Sequence, residues 1–415
     1  MTGIAYEDFL DLEYTPDPSE LVCTFHVEPG AALSMEAAAS RVASESSNGT
    51  WTELQVPGEV TDLSAAAFAI DGNQVRVAYP ESLFEPGNMA QVLSCIAGNV
   101  LGMKAVDRLR LLDCEWPAGL TQTFPGPQFG SGVRQTFFEI TDRPLTATVP
   151  KPKVGLSTDQ HAEVGYEAWI GGIDLLKDDE NLTDQAFNPF ADRVTASLAR
   201  RDDAENETGE PKSYLVNITA ETDTMLERAD EVASQGGEFV MVDIITAGWS
   251  GLQSVRERCE TLGLAIHAHR AMHAAFDRIP THGVSMRCLA QFARLCGVDH
   301  IHTGTAGLGK MENEDTAGIN DWLAGDLHGL RDVLPVASGG LHPGVIPPLL
   351  DRLGTTICVQ AGGGVHGHPD GTRAGAAALR QSIDAAMAGV PLAERAERHP
   401  ELAAALEQWG TDAPR

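Results

Sequence analysis

The sequence predicts an α/β protein in which a C-terminal (β/α)8 barrel of the TIM type follows a smaller N-terminal α+β domain. Three observations carry this. Eight short apolar runs succeed one another in the C-terminal two thirds, with helical patterns between most of them. The residues best suited to chemistry gather at the ends of those runs, where such barrels place their working groups. The rival architecture, an open doubly wound sheet, lacks its expected G-x-G-x-x-G after the first strand.

In the first third, residues 21–27 read as a strand and residues 34–43 as a helix with Ser34 as cap. Residues 74–79 read as a strand, 89–99 as a helix and 108–114 as a strand. A Gly- and Pro-rich stretch at residues 125–132 marks a boundary, so the domains are expected to be residues 1–128 and 129–415. The eight runs of the barrel are residues 146–150, 172–176, 213–219, 239–245, 264–267, 300–302, 334–337 and 356–360. Helical patterns such as residues 222–235 and 287–295 separate them.

The 415 residues are 43% hydrophobic, enough to bury the cores of one large and one smaller domain. No apolar stretch approaches the length of a membrane span. Residues 1–16 are acidic without a basic cluster, which argues against a signal or transit peptide and for a cytoplasmic protein. The seven cysteines contain no C-x-x-C pair and read as small core residues in a reducing compartment. The net charge of -30 repels nucleic acid and anionic membranes, so neither is expected as a partner. The acid is dispersed along the chain, which reads as a salt-adapted surface screened by counterions; the alternative is an ordinary acidic bacterial protein. Of 29 basic residues only six are lysines: Lys104, Lys151, Lys153, Lys177, Lys212 and Lys310. A lysine kept in such a chain points to amine chemistry that arginine cannot perform.

The run ends collect Lys151-Pro152-Lys153, Lys177-Asp178-Asp179-Glu180, His267-Ala268-His269-Arg270, His302-Thr303-Gly304, Ser338-Gly339-Gly340 and Gly362-Gly363-Gly364. Asp179 and Glu180 make a hard oxygen pair suited to Mg2+. An ammonium cannot bind a cation, whereas a Lys177 carbamate formed with CO2 supplies an oxygen and a negative charge. The plainer alternative is a local ion pair on an exposed loop. The glycine turns after runs seven and eight suit phosphate, with backbone N–H groups, the Ser338 hydroxyl, and Arg270 and His302 as further donors; each turn alone reads equally as simple turn glycine. The H-A-H pair His267 and His269, with His273 four residues on, raises zinc, but no third soft ligand has suitable local spacing. His267 and His273 read better as structural histidines. The glycine-rich segment ending in Lys310 lacks the GK[ST] of a P-loop, since Met311 follows, and reads as a mobile lid or an exposed flexible loop.

Several blocks then match one family in order: SESSNGTW, IAGNV, KPKVGLS, GGIDLLKDDEN, HAHRAMHAAFDR, HIHTGT, LPVASGG and QAGGGVHGHP. The chain resembles the ribulose bisphosphate carboxylase (RuBisCO) large chain over nearly its whole length. The resemblance implies addition of CO2 and water to ribulose 1,5-bisphosphate to give two 3-phosphoglycerate, with an oxygenase side activity on O2. It implies Lys177 as the carbamylated lysine, with Asp179 and Glu180 completing a Mg2+ site. Lys151, with Lys153 near, would assist enolisation and protonate the final carbanion. His269 would orient substrate hydroxyls and the attacking water, and Lys310 would polarise CO2. Arg270, His302 and Ser338 would hold one end of the substrate. Gly339, Gly340, Gly362 and Gly363, with Thr50 and Trp51, would hold the other phosphate.

Glu45, Thr50, Trp51 and Asn99 would come from the neighbouring subunit of a homodimer or higher homo-oligomer, with no small subunit. The chain length, VPKPKVGLS, GTAGLGKME and GGLHPG resemble the archaeal form III group, which serves AMP and nucleoside salvage; with the charge, this points to a halophilic archaeon. Pro150, a lid one residue longer than the plant type, and Met311-Glu312-Asn313-Glu314 depart from the plant-type pattern. Two alternatives are a RuBisCO-like enolase or isomerase of a sulfur-containing sugar phosphate, and a non-catalytic phosphate-binding barrel. Retention of Lys151, Lys310, Glu45, Asn99 and His269 speaks for the carboxylase. If the acidic surface is salt-adapted, thermal stability measured by circular dichroism rises between low and molar KCl; a flat or falling midpoint refutes that reading of the charge.

Overall fold

The computed structural model describes residues 2–309 and 315–414, arranged as two compact units. The first unit comprises Met1–Gly126, Met272–Cys296 and Leu327–Leu330. Its five-stranded sheet runs in the order Gly283–Val284, Val106–Glu115, Leu21–Pro29, Gln74–Tyr79, Ala66–Asp71. The middle strand alternates buried Cys23, Phe25 and Val27 with less buried neighbours, the period of a half-covered sheet. Helix Met35–Glu45 starts where Ser34 Oγ accepts from the Ala37 N–H at 3.2 Å, as its sequence predicts, and buries Ala38, Ala39, Val42 and Ala43.

Two features of this unit differ from expectation. The helix beginning at Met89 stops at Ile96, and Asn99 opens a separate 3-10 turn, Asn99–Gly102. Gly98 sits so close to the Ser94 carbonyl that a Cβ there would lie 2.1 Å from it, so the chain breaks at this residue. Strand Ala66–Asp71 was not foreseen, because its alanine-rich sequence has little β character; pairing with Gln74–Tyr79 across a turn through Gly72 holds it extended.

The second unit comprises Pro127–Ala271, Gly297–Asp326 and Arg331–Arg415. It contains a closed barrel of eight parallel strands: β1 (Leu145–Thr148), β2 (Leu175–Lys177), β3 (Ser213–Asn217), β4 (Phe239–Asp243), β5 (Ala265–His269), β6 (His300–His302), β7 (Leu334–Ser338) and β8 (Cys358–Gln360). Each pairs with the next, and β8 closes on β1 with Cys358 opposite Leu145. All eight expected runs are strands, with ends shifted by up to three residues. β2 begins at Leu175 rather than 172, because Gly172 turns the chain at a φ of 110°. The strands read as continuous apolar runs because both faces are covered.

The barrel interior is filled by Leu145, Ala147, Leu175, Leu215, Phe239, Met241, Ala265, Leu334, Val336 and Cys358. Helix Val133–Phe138 packs at the N-terminal ends of the strands, with the Phe137 ring 5.1 Å from that of Phe239. Buried acids tie this end together. Asp299 accepts from the N–H groups of Phe129, Gly130 and Ile266. Asp174 receives a bidentate fork from Arg143 at 2.7 and 2.8 Å and an N–H from Thr146. The closed end is therefore apolar and pinned, and the opposite rim is left for chemistry. Many arginines are not on the surface: Arg193, Arg201, Arg256, Arg270 and Arg294 are all buried.

Candidate active site

Lys177 is the last residue of β2, and its side chain is fully buried. The reading as an ion pair on an exposed loop is thereby excluded. Its Nζ donates to the Asp178 carbonyl at 2.7 Å and lies 3.7 Å from Glu180 Oε2. Burial pushes its pKa down against the pull of Glu180, Asp243, Asp179 and Asp178. A lysine so placed carries more neutral, nucleophilic amine than one in water.

Asp178 was passed over in the sequence, yet it fixes the peptide on which the site is built. Its carboxylate accepts from Tyr214 Oη at 2.5 Å, the Asn217 N–H at 3.0 Å and Arg193 Nε at 3.3 Å, with His161 Nε2 3.3 Å away. Burial opposes its charge, but Arg193, His161 and Tyr214 hold the pKa at about 2. The side chain turns away from Lys177 and Asp179 and leaves them on the site face.

Asp179 accepts from the Asn181 backbone and side chain through Oδ1, and its Oδ2 lies 3.0 Å from Lys151 Nζ. Lys151 comes from the segment after β1 and is about one third exposed. Its stem passes over Gly362, where a Cβ would lie 3.1 Å from Lys151 Cε; the glycine makes room for the lysine. Glu180 Oε2 is 3.6 Å from His269 Nε2, and His269 Nδ1 is 2.8 Å from Asp243 Oδ1. Burial and the nearby Lys177 cation take the His269 pKa down to about 4, so the ring is neutral near pH 7 and presents Nε2 to the site. Asp243 was also missed. It is an acid closing an apolar strand, so the rule that barrel strands end in working residues could have found it.

His269 and His302 stack edge to face with centroids 4.8 Å apart, and His302 Nδ1 lies 2.6 Å from Ser338 Oγ. His267 is fully buried between His300 and His302. Arg270 is buried directly beyond β5. Gly339 and Gly340 adopt φ of 115° and 90°, which only glycine takes without strain. A Cβ on Gly309 would meet the Gly339 carbonyl at 2.2 Å, so the start of the expected lid rests on the β7 turn. Gly362 lies just beyond β8 and precedes the short helix Gly363–His366, rather than both glycines forming a turn, and Lys153 is exposed next to Pro152. Lys310 lies outside the described residues. In the first unit, Glu45 accepts from Tyr6 Oη at 3.1 Å, Thr50 is half-buried, Asn99 is exposed and Trp51 is 80% exposed.

The geometry thus brings Lys151, Lys177, Asp179, Glu180, Asp243 and His269 into one contiguous cluster at the C-terminal rim, continuing through His302 to Ser338. Residues 132–409 match the family described as ribulose bisphosphate carboxylase large chain, catalytic domain, and residues 8–120 match its N-terminal domain. The chain belongs to the ribulose bisphosphate carboxylase large-chain family. It is 54% identical over 413 residues to the ribulose bisphosphate carboxylase of Pyrococcus furiosus, covering 98% of each chain. It is 46% identical over 424 residues to that of Methanosarcina barkeri, covering 97% of this chain and 99% of the relative. Among solved structures it is similar to the octameric RuBisCO of Pyrococcus horikoshii OT3 in a sulfate complex, at 52% identity and a TM-score of 0.95, covering 99% of this chain and 98% of that one. It is also similar to the dimeric archaeal RuBisCO of Hyperthermus butylicus, at 44% identity and a TM-score of 0.91, covering 98% and 99%.

The residues fit a magnesium site that needs one more oxygen. Among the described residues no three His, Cys, Asp or Glu side chains are grouped to hold a metal ion. Asp179 and Glu180 offer hard oxygen donors beside Lys177, and CO2 added to its amine would offer a third. Among the described residues, no helix is long and apolar enough to cross a membrane.

The Asp178 network makes a pH prediction. Its folded pKa of about 2 lies below the ordinary 3.8, so its stabilisation, about 2 kcal/mol, is complete above pH 3.8 and vanishes as pH falls through about 2. Asp178→Ala leaves Arg193 buried without its carboxylate, a change that typically costs about 3–5 kcal/mol. Denaturant unfolding of both proteins across the acid range checks this; a variant as stable as the wild type near neutral pH would refute it.

Proposed function

We infer that this protein carboxylates D-ribulose 1,5-bisphosphate with CO2 and water to two 3-phosphoglycerate, and oxygenates it as a side reaction. The observation that carries the reading is the buried, pKa-lowered Lys177 held beside Asp179 and Glu180 at the rim of the barrel.

A neutral Lys177 amine attacks CO2, and loss of one proton leaves the carbamate. Lys177, once carbamylated, joins Asp179 and Glu180 as an anionic oxygen set for Mg2+ and takes the C3 proton of the substrate. Magnesium, when bound, supplies positive charge at the substrate oxygens. Lys151, with Lys153 near, assists enolisation and returns a proton to the final carbanion; its 3.0 Å contact with Asp179 sets its amine at the reacting face. His269, neutral and aimed by Asp243, orients the substrate hydroxyls and the attacking water. Arg270, His302 and Ser338 hold one end of the substrate. Gly339, Gly340, Gly362 and Gly363, with Thr50 and Trp51, hold the other phosphate through backbone N–H groups and side chains. Lys310 polarises CO2 from the lid and pairs with Glu45 on closure.

Residues 1–128 and 129–415 serve as separate domains in this reading, with Glu45, Thr50, Trp51 and Asn99 completing the site of a neighbouring subunit. The homo-oligomer is built from two-fold dimers without a small subunit, in the cytoplasm of a salt-adapted archaeon that uses the reaction in AMP and nucleoside salvage. The exposure of Trp51 supports that arrangement, since a large aromatic left open on one chain suits a surface covered by another.

The test is fixation of labelled CO2 into 3-phosphoglycerate after preincubation with bicarbonate and Mg2+ in high KCl. Product is expected from the wild type and is reduced at least about 100-fold in Lys177→Ala, since a group acting in proton transfer contributes roughly 100-fold to 10,000-fold. Chelation of Mg2+ abolishes it. Folded protein that yields no product would favour the RuBisCO-like enolase or isomerase.

A further inference from the structure

Three histidines of the barrel are linked in a way the proposed reaction does not use. His300 and His302 lie two apart on β6 and His267 on β5, and all three are buried. His300 Nδ1 is 3.3 Å from His267 Nδ1, His267 Nε2 is 2.8 Å from His302 Nε2, and His302 Nδ1 is 2.6 Å from Ser338 Oγ. Each ring nitrogen of His267 and His302 is thus engaged by another protein atom. At the inner end His300 Nε2 is buried without a hydrogen-bond partner. At the outer end Ser338 is half-buried at the turn after β7.

We propose that His300, His267 and His302 form one hydrogen-bonded chain with a single tautomer direction, which commits the Ser338 hydroxyl to donate to a phosphate group of the ligand. The inference deepens the reading above and rests on it in taking that ligand group to be a phosphate.

The argument is a count of hydrogens. Burial holds all three rings neutral, with His300 pushed down to about 3 and the others lowered further by neighbouring cations and histidines. A neutral imidazole carries one N–H and one bare nitrogen. Each link needs one of each, so choosing a tautomer at one ring fixes the rest. Only two arrangements leave every link intact.

In the first, Ser338 donates inward to His302 Nδ1. His302 then donates from Nε2 to His267, and His267 donates from Nδ1 to His300. His300 must carry its hydrogen on Nε2, where that buried N–H finds no acceptor. In the second, His300 donates from Nδ1, His267 from Nε2, and His302 from Nδ1 to Ser338 Oγ. The chain then ends in a bare nitrogen at His300, and the Ser338 hydrogen is free to point toward the ligand.

Both ends favour the second arrangement. It avoids a buried N–H without an acceptor. It also turns a hydroxyl donor, rather than oxygen lone pairs, toward a phosphate oxygen. The donor is oriented before the ligand arrives and no charge is buried to orient it. His300 and His267 are therefore positioning residues, and the contribution of His302 to phosphate binding runs through Ser338.

The test uses the full-length protein labelled with 15N-histidine. Long-range 15N–1H spectra report which ring nitrogen carries hydrogen, with inorganic phosphate as the probe. Expected are Nδ1–H at His300, Nε2–H at His267 and Nδ1–H at His302, with and without phosphate, and a phosphate-induced shift at His302. Ser338→Ala removes the outer acceptor, leaves an unsatisfied group at either end, and is expected to mix the tautomers as far as His300; Ser338→Thr restores the single direction. Three rings that merely fill space would leave His300 unmoved by loss of that hydroxyl. Nε2–H at His302, cationic rings, independent tautomers, or no phosphate effect on His302 would each overturn the proposal. CO2 fixation with the opposite direction sinks this inference alone. The proposed direction in protein that fixes no CO2 sinks the carboxylase reading alone.

Discussion

The pairing of β8 with β1 is the constraint on which the rest depends. It joins Cys358–Gln360 to Leu145–Thr148, segments more than two hundred residues apart in the chain, and turns seven parallel pairings into a closed ring. Closure costs conformational entropy that no local interaction returns. It is offset by the interior layers of Leu145, Leu175, Leu215, Phe239 and Val336, and by the aromatic helix Val133–Phe138 that seals one end. Without it Lys151 would not lie across Gly362, and the segments after β1 and β8 would not be neighbours.

On that frame the rim solves an electrostatic problem. Lys177 is a buried amine among four acids, and a cluster of like charges at that density would repel itself. The structure sorts the acids by partner. Asp178 is taken by Arg193, Tyr214 and a backbone N–H behind the strand. Asp243 is taken by His269. Asp179 and Glu180 remain near the amines of Lys151 and Lys177, able to exchange those partners for others. Turning Asp178 behind the strand leaves Asp179 and Glu180 on the side of the two amines.

The barrel was legible because both faces of its strands are covered, which leaves apolar runs too regular to mistake. The rim residues were legible because lysine is scarce in this chain, so Lys151 and Lys177 stood out. What escaped was whatever depends on three-dimensional partners. Asp178 looks like one more acid in Lys177-Asp178-Asp179-Glu180 until Arg193 and Tyr214 are seen beside it. Asp243 hides at the end of an apolar run. Strand Ala66–Asp71 has a weak local preference and is extended by its neighbour, and Gly283–Val284 is too short for any period to show. The break after Ile96 depends on how close Gly98 comes to a carbonyl one turn back. The histidine at 267 was read as structural, which its burial supports, but its links to His300 and His302 cross from one strand to the next and leave no trace in spacing.

The contact of Gly309 with the Gly339 carbonyl has a mechanical consequence. The two backbones are set against each other there, and neither can move toward the other without a clash. Position 309 has no latitude for a side chain, since even a Cβ would press on the turn. A methyl group at that one position would therefore be felt at the glycines that follow β7, a strand apart in the sequence from the residue changed.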